Sequence, residues 1–200
     1  MVITHADVED AIDSLSANAS PGPDYFPAVL LKQGKLSLSH ALADIFSSSL
    51  QSGEVPREFK MAFITPVHKG GTKSLLVNYR PVSLTSHLAK TFERVIRRYL
   101  VAYLEVNGKM NKNQHGFRNG RSCLSQLLDH YDRILKILED GKNADCVYLD
   151  FSKCFDKIDI GLLCQKLKQN GISSKLGLWL HNFFTNRKQF IISREAISSP

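Results

Sequence analysis

Apolar residues recur along this chain with a helical period in several places, separated by short stretches where the period changes to that of strands. Thr4 and Asp7 frame a helix start, and Val8, Ala11, Ile12 and Leu15 fall on one face of the helix that follows. The prolines of "SPGPDYFP", Ser20 to Pro27, end it in a loop, because each proline removes a backbone donor. A second helix is predicted from about Ser37 to Ser52, with Leu38, Leu42, Ile45, Phe46 and Leu50 together and "SGEVP" closing it.

From Phe59 to Ser86 two short apolar runs surround a Gly-Gly turn region, which predicts a long hairpin with Lys69, Lys73 and Arg80 near its tip and return strand. "HLAKTFERVIRRYLVAYLE" then returns to the helical period. Leu88, Phe92, Val95, Ile96, Tyr99 and Tyr103 share its stripe, while Lys90, Arg94, Arg97 and Arg98 leave it. After the polar turn "NGKMNKNQHGFRNGRS", a helix from about Ser122 to Asp140 aligns Leu124, Leu127, Leu128, Tyr131, Leu135 and Leu138, and Gly141 closes it. Helices are predicted over Ile160 to Asn170 and Ser173 to Asn186, followed by a strand from Gln189. Such interleaving gives an α+β or mixed α/β class, with no internal repeat or linker marking independent domains.

Composition narrows the function. Two hundred residues at 43% hydrophobic suffice for one core, and a formal charge of +7 favours a polyanionic partner, nucleic acid first. Cys123, Cys146, Cys154 and Cys164 lack metal-ligand spacing and lie in or beside apolar runs, so reduced core thiols are expected. The seven histidines show no ligand spacing and are expected on surfaces or in ordinary polar positions. The acidic, amphipathic opening is unlike a signal peptide, and no apolar run approaches the roughly 20 residues that span a bilayer, so an intracellular chain of nucleus or cytoplasm is expected, with no membrane partner.

One stretch carries chemistry. In "CVYLDFSKCFDKID", Cys146 to Asp159, an apolar run predicted as a strand ends on Asp150, and the chain turns so that Phe155 and Asp156 follow within six residues. Asp150 either caps that turn or presents a carboxylate at a strand's carboxyl end, where open sheets gather functional groups. Basic side chains upstream and a carboxylate suited to Mg²⁺ together suggest phosphoryl transfer.

At these residues the chain resembles the reverse transcriptase domain of non-LTR, LINE-type, jockey-like retrotransposons. The segments that carry the resemblance are "SPGPDYFPAVLLK", "EVPREFKMAFITPVHKGG", "NYRPVSLTSHLAKTFERVI", "NQHGFRNGRSCLSQLL" and "YLDFSKCFDKID", in the family's order and spacing. The resemblance implies a right-hand polymerase fold. An N-terminal helical extension would occupy 1–58, a fingers-like hairpin with helices 59–143, and the first part of the palm 144–200. It further implies that Asp150 is catalytic and, with the carbonyl of Phe151, a ligand of the two Mg²⁺ ions that handle the primer hydroxyl and the nucleotide phosphates. Phe155 would exclude a ribose 2′-hydroxyl, its alternative being a plain core residue. Lys69 and Arg80 would grip the triphosphate of the incoming deoxynucleotide, with His68 or Lys73 as competitors for the place of Lys69. Arg118, or Arg121, would meet the template, unless that loop only caps a helix. The partners implied are an RNA template, a DNA primer and deoxynucleoside triphosphates.

The sequence departs from that pattern in two respects: it contains no Asp-Asp dipeptide and no Pro-Gln-Gly motif. The chain is therefore expected to be a fragment, fingers and incomplete palm, truncated before the second catalytic motif and inactive alone. A non-enzymatic remnant that binds RNA or a hybrid is the alternative.

Overall fold

The computed structural model describes residues 2–192 and 197–199. The chain divides into two compact units, one made of residues up to Tyr99 together with those from Ile160 onward, the other of Leu100–Asp159. This is not the division into 1–58, 59–143 and 144–200, because the last strand returns to the first unit and pairs there.

In the first unit, α1 (His5–Asp13) starts at the expected cap. Thr4 Oγ1 accepts from the backbone N–H of Asp7, and the Asp7 carboxylate accepts from the backbone N–H of Thr4, so two otherwise orphaned donors are satisfied. A short α2 (Ala28–Gln33), absent from the sequence reading, follows Pro27 directly. Pro27 occupies its N-cap with extended backbone, a position where the missing N–H costs nothing. α3 (Lys35–Ser52) ends at Gly53, whose φ of 74° is the left-handed conformation of a helix C-terminus. A 3₁₀ turn (Arg57–Lys60) leads into β1 (Met61–His68), which forms the predicted hairpin with β2 (Tyr79–Thr85).

The loop of residues 20–27 lies against the far end of that hairpin. A Cβ on Gly22 would stand 2.4 Å from the backbone of Thr85 and of Ser86, an approach only glycine permits. Next come α4 (His87–Val106), α6 (Ile160–Gln169), α7 (Ser174–Phe184) and β3 (Lys188–Ile191), with α5 (Cys123–Glu139) in the second unit. β3 pairs parallel with β1, so the sheet order is β2-β1-β3 and the sheet is mixed. The class is mixed α/β, with a small three-stranded sheet.

The core collects the inward stripes of α1, α3, α4 and α7. Phe92 of α4 stacks on Phe46 of α3 at 4.2 Å between ring centroids and lies 4.7 Å from the Trp179 ring of α7. Trp179 is fully buried and its indole N–H donates to Ser49 Oγ at 2.9 Å, which answers the polar edge of an otherwise apolar ring. At the rim, Asp7 is clamped by Arg98 and by the Tyr99 hydroxyl. Burial pushes its carboxyl up, but the bonds from Thr4 and Tyr99 and the Arg98 charge outweigh that and hold it below its ordinary 3.8.

Two expectations fail. The cysteines are not core thiols: Cys123, Cys146 and Cys154 are exposed and Cys164 is half-buried. The stripe of α5 is real but uncovered, with Leu124, Leu127, Leu128, Tyr131, Leu135 and Leu138 all more than half exposed. Of the histidines, His87 is fully buried, and His115, nearly so, fills an ordinary polar position beside Ser125.

Candidate functional site

The hairpin tip belongs to the first unit. Opposed residues of an antiparallel ladder share a face, as do positions two apart on one strand. Val67 opposes Arg80, and one step past the ladder the Lys69 N–H still donates to the Asn78 carbonyl at 2.9 Å. Lys69 and Arg80 therefore stand diagonally on one side of the ribbon, both exposed and neither paired with an acid among the described residues.

The loop between them is braced by its own polar groups. Asn78 Nδ2 donates to the Thr72 carbonyl and Tyr79 Oη to that of Lys73, both at 2.9 Å. Gly71, at φ 79°, lies so close that a Cβ there would meet Asn78 Nδ2 at 2.8 Å. His68, one competitor for the place of Lys69, has its Nε2 3.0 Å from the Gly71 carbonyl oxygen and its ring 5.2 Å from that of Tyr79. Two exposed cations on one face of a braced ribbon suit the oxygens of a phosphate chain.

The second unit holds the remaining residues. The Ser122–Ser125 capping box starts α5, and His115 Nδ1 lies 2.9 Å from Ser125 Oγ, which ties the preceding loop to the helix. Arg118 does not present its guanidinium to solvent. Its Nε and one terminal nitrogen donate to the two Glu105 oxygens at 2.7 and 2.6 Å, and the other terminal nitrogen donates to the Asn111 carbonyl at 2.8 Å. With its side chain 14% exposed, Arg118 has little left for a template phosphate, whereas Arg121 is exposed.

The expected strand at Cys146–Leu149 is not formed. Residues 142–151 have no regular structure, and Val147, Tyr148 and Leu149 are each more than three-quarters exposed. A strand is a property of a pair, and among the described residues no neighbour accepts or donates a ladder bond here. The segment meets α5 where Tyr148 Oη lies 2.9 Å from His130 Nε2. Asp150 and Phe151 are exposed on it, so Asp150 does not end a strand.

Beyond Asp150 the chain coils through a turn in which Lys153 takes φ 53° and its carbonyl accepts from Asp156 and Lys157. That turn brings the Phe155 ring, 72% exposed, edge-on to Phe117 at 6.2 Å between centroids. Phe155 is thus not a core residue. The turn motif and the "GFR" segment meet in space although 38 residues separate the two rings in sequence.

Asp150 and the Phe151 carbonyl are hard oxygen donors and suit Mg²⁺ in kind. They fall short in number: among the described residues no three His, Cys, Asp or Glu side chains gather where an ion could sit. The residues described do not compose a two-metal cage.

The chain belongs to the reverse transcriptase (RNA-dependent DNA polymerase) family, whose model matches residues 67–198. It is 29% identical over 195 residues to the probable RNA-directed DNA polymerase from transposon BS of Drosophila melanogaster, covering 97% of this chain and 21% of that protein. To the RNA-directed DNA polymerase from mobile element jockey of the same species it is 31% identical over 157 residues, 78% of this chain and 17% of that protein. A third relative, the probable polymerase from transposon X-element, is 28% identical over 195 residues, 96% of this chain and 21% of that protein. The chain spans about a fifth of the length of the curated relatives it matches. No described helix is long and apolar enough to cross a membrane.

Proposed function

We propose that this chain is the fingers and the first part of the palm of a retrotransposon reverse transcriptase, and that the protein it represents extends a DNA primer on an RNA template. The observation that carries the reading is the span of the family match, which takes in both the basic hairpin tip and the Asp150 turn. In the complete polymerase Asp150, with the Phe151 carbonyl, contributes to a Mg²⁺ site whose other carboxylates lie outside the residues described. Bound there, the ions would activate the primer hydroxyl and neutralise the leaving pyrophosphate.

The chain's own residues have separate tasks. Lys69 and Arg80 grip the triphosphate of the incoming deoxynucleotide, arginine by two parallel bonds. Phe155 offers an exposed flat ring, steadied by Phe117, against which a 2′-hydroxyl would collide. Arg118, first assigned to the template, instead shapes the loop through Glu105, and Arg121 is the better placed of the two to meet a template phosphate.

Primer extension tests this reading. The complete polymerase should lose DNA synthesis on Asp150→Asn, and this chain alone should extend nothing, because one carboxylate does not hold two divalent ions. Full synthesis by the Asp150→Asn polymerase would overturn it. The absence of an acidic cluster among the described residues favours one second reading, a remnant that binds RNA or a hybrid without catalysis. An in-frame Asp-Asp codon pair downstream in the gene supports the polymerase, and an immediate stop supports the remnant.

A further inference from the structure

The opposite end of β1 from the hairpin tip, about 25 Å away at the usual rise per strand residue, carries a second set of cations that the proposed function does not use. Arg57 and Lys60 of the 3₁₀ turn and Lys188 at the start of β3 line an open concavity of about 340 Å³, completed by Glu58, Met61 and Asn186. The one acid there is spoken for: Arg57 Nε donates to Glu58 Oε1 at 2.8 Å. Lys60 and Lys188 remain as net charge, and neither has an acidic partner among the described residues.

The fold forces these two together. In the parallel register Met61 lies beside Lys188, and Lys60 ends the turn that leads into Met61, so both lysines line the one concavity. Two ammonium groups on one lining repel, and a shared anion turns that repulsion into attraction. No aromatic ring lines the concavity, so nothing offers a base a stacking platform, while the cations and the Asn186 amide suit phosphate oxygens.

We propose that this concavity binds the phosphodiester backbone of a single-stranded nucleic acid without reading its bases, as an anchor separate from the hairpin tip. The proposal rests on the nucleic-acid reading given above. For single strands each neutralised phosphate contributes about 0.7 to the slope of log K against log salt. If Lys60 and Lys188 each meet one phosphate, removing both should lower the slope by about 1.4 and weaken binding about 25-fold at 0.1 M salt.

The test is fluorescence anisotropy of the 200-residue chain with labelled unstructured RNA and DNA oligonucleotides of matched mixed sequence, from about 50 to 200 mM salt. The variants are Lys60→Gln/Lys188→Gln and, as a control of equal charge loss, Lys136→Gln/Lys142→Gln, whose lysines already pair with Asp132 and Asp140. Far-ultraviolet circular dichroism checks that each stays folded. Selective loss of affinity and slope in the first pair supports the anchor, and equal losses for RNA and DNA identify the phosphodiester, whereas loss for RNA alone overturns backbone-only recognition. An unchanged slope in that pair, or equal loss in the control, overturns the anchor and leaves the polymerase reading standing. No binding by the unaltered chain at 50 mM salt likewise overturns the anchor.

Discussion

His87, the first residue of α4, is fully buried, and among the described residues neither ring nitrogen makes a hydrogen bond of normal geometry. Burial and the nearby Lys90 charge hold its pKa below 6.5, against an opposing pull from the Ala19 backbone and Asp24. A histidine whose folded pKa is depressed contributes full stability above the unfolded value. As pH falls below about 6.5 the unfolded chain takes the proton first, and stability is lost at up to about 1.4 kcal/mol per pH unit until the folded pKa is passed. His87→Leu, close in volume, removes both the titration and two orphaned polar atoms, whose burial costs about 1–3 kcal/mol. Chemical denaturation between about pH 8 and pH 5 should therefore show the variant equal to or more stable than the unaltered chain at pH 8. Its advantage should widen as the pH drops. Because Asp7 keeps its stabilising ionised form until far lower pH, it does not enter that window. A gap that stays flat with pH, or a variant weakened by several kcal/mol at pH 8, would show that the imidazole is paired and refute the reasoning.

Other substitutions probe other parts. Phe92→Ala empties the centre of the aromatic stack and should cost about 3–5 kcal/mol in urea denaturation, with a loss under 1 kcal/mol counting against the core as described. A double-mutant cycle on Arg118→Ala and Glu105→Ala should give a coupling of about 1–3 kcal/mol, since the pair is bidentate and half-screened from water; a coupling near zero would return Arg118 to solvent and to the template. Asp150→Asn should leave stability within about 0.5 kcal/mol, because the carboxylate is exposed and makes no bond among the described residues. Coupled with lost synthesis in the complete polymerase, that result would separate chemistry from folding. A large destabilisation would make Asp150 a turn residue.

What could be read beforehand depended on whether the information was local. The Thr4–Asp7 cap, the α4 stripe and the hairpin with its basic tip are written in neighbouring residues, and the structure reproduces each. α2 is hidden because Pro27 reads as a break in the sequence, although proline at a helix start is no obstacle. The parallel pairing of β3 with β1 was equally invisible, as it joins residues more than 120 apart and no turn announces it. Arg118 shows the same limit at the site: a loop arginine in a basic chain reads as a phosphate contact, and only the fold reveals Glu105 thirteen residues upstream.

The exposed stripe of α5 and the unformed strand before Asp150 are two sides of one physical point. A helix periodicity specifies which face wants burial, and an apolar run of four specifies a residue set that tolerates a ladder, but neither specifies what answers it. In the first unit such demands meet one another: the stripes of α1, α3, α4 and α7 close on Phe92 and Trp179. In the second unit the stripe and the run are present in sequence and unanswered among the described residues, and the proposed catalytic carboxylate sits on that unanswered segment. Asp150 therefore depends for its placement on packing that its own unit does not supply. A catalytic reading of it predicts that whatever orders residues 146–151 in the complete polymerase also sets its activity, so that charging the apolar run, as in Leu149→Lys, should abolish primer extension there while leaving the stability of this chain unchanged within about 0.5 kcal/mol.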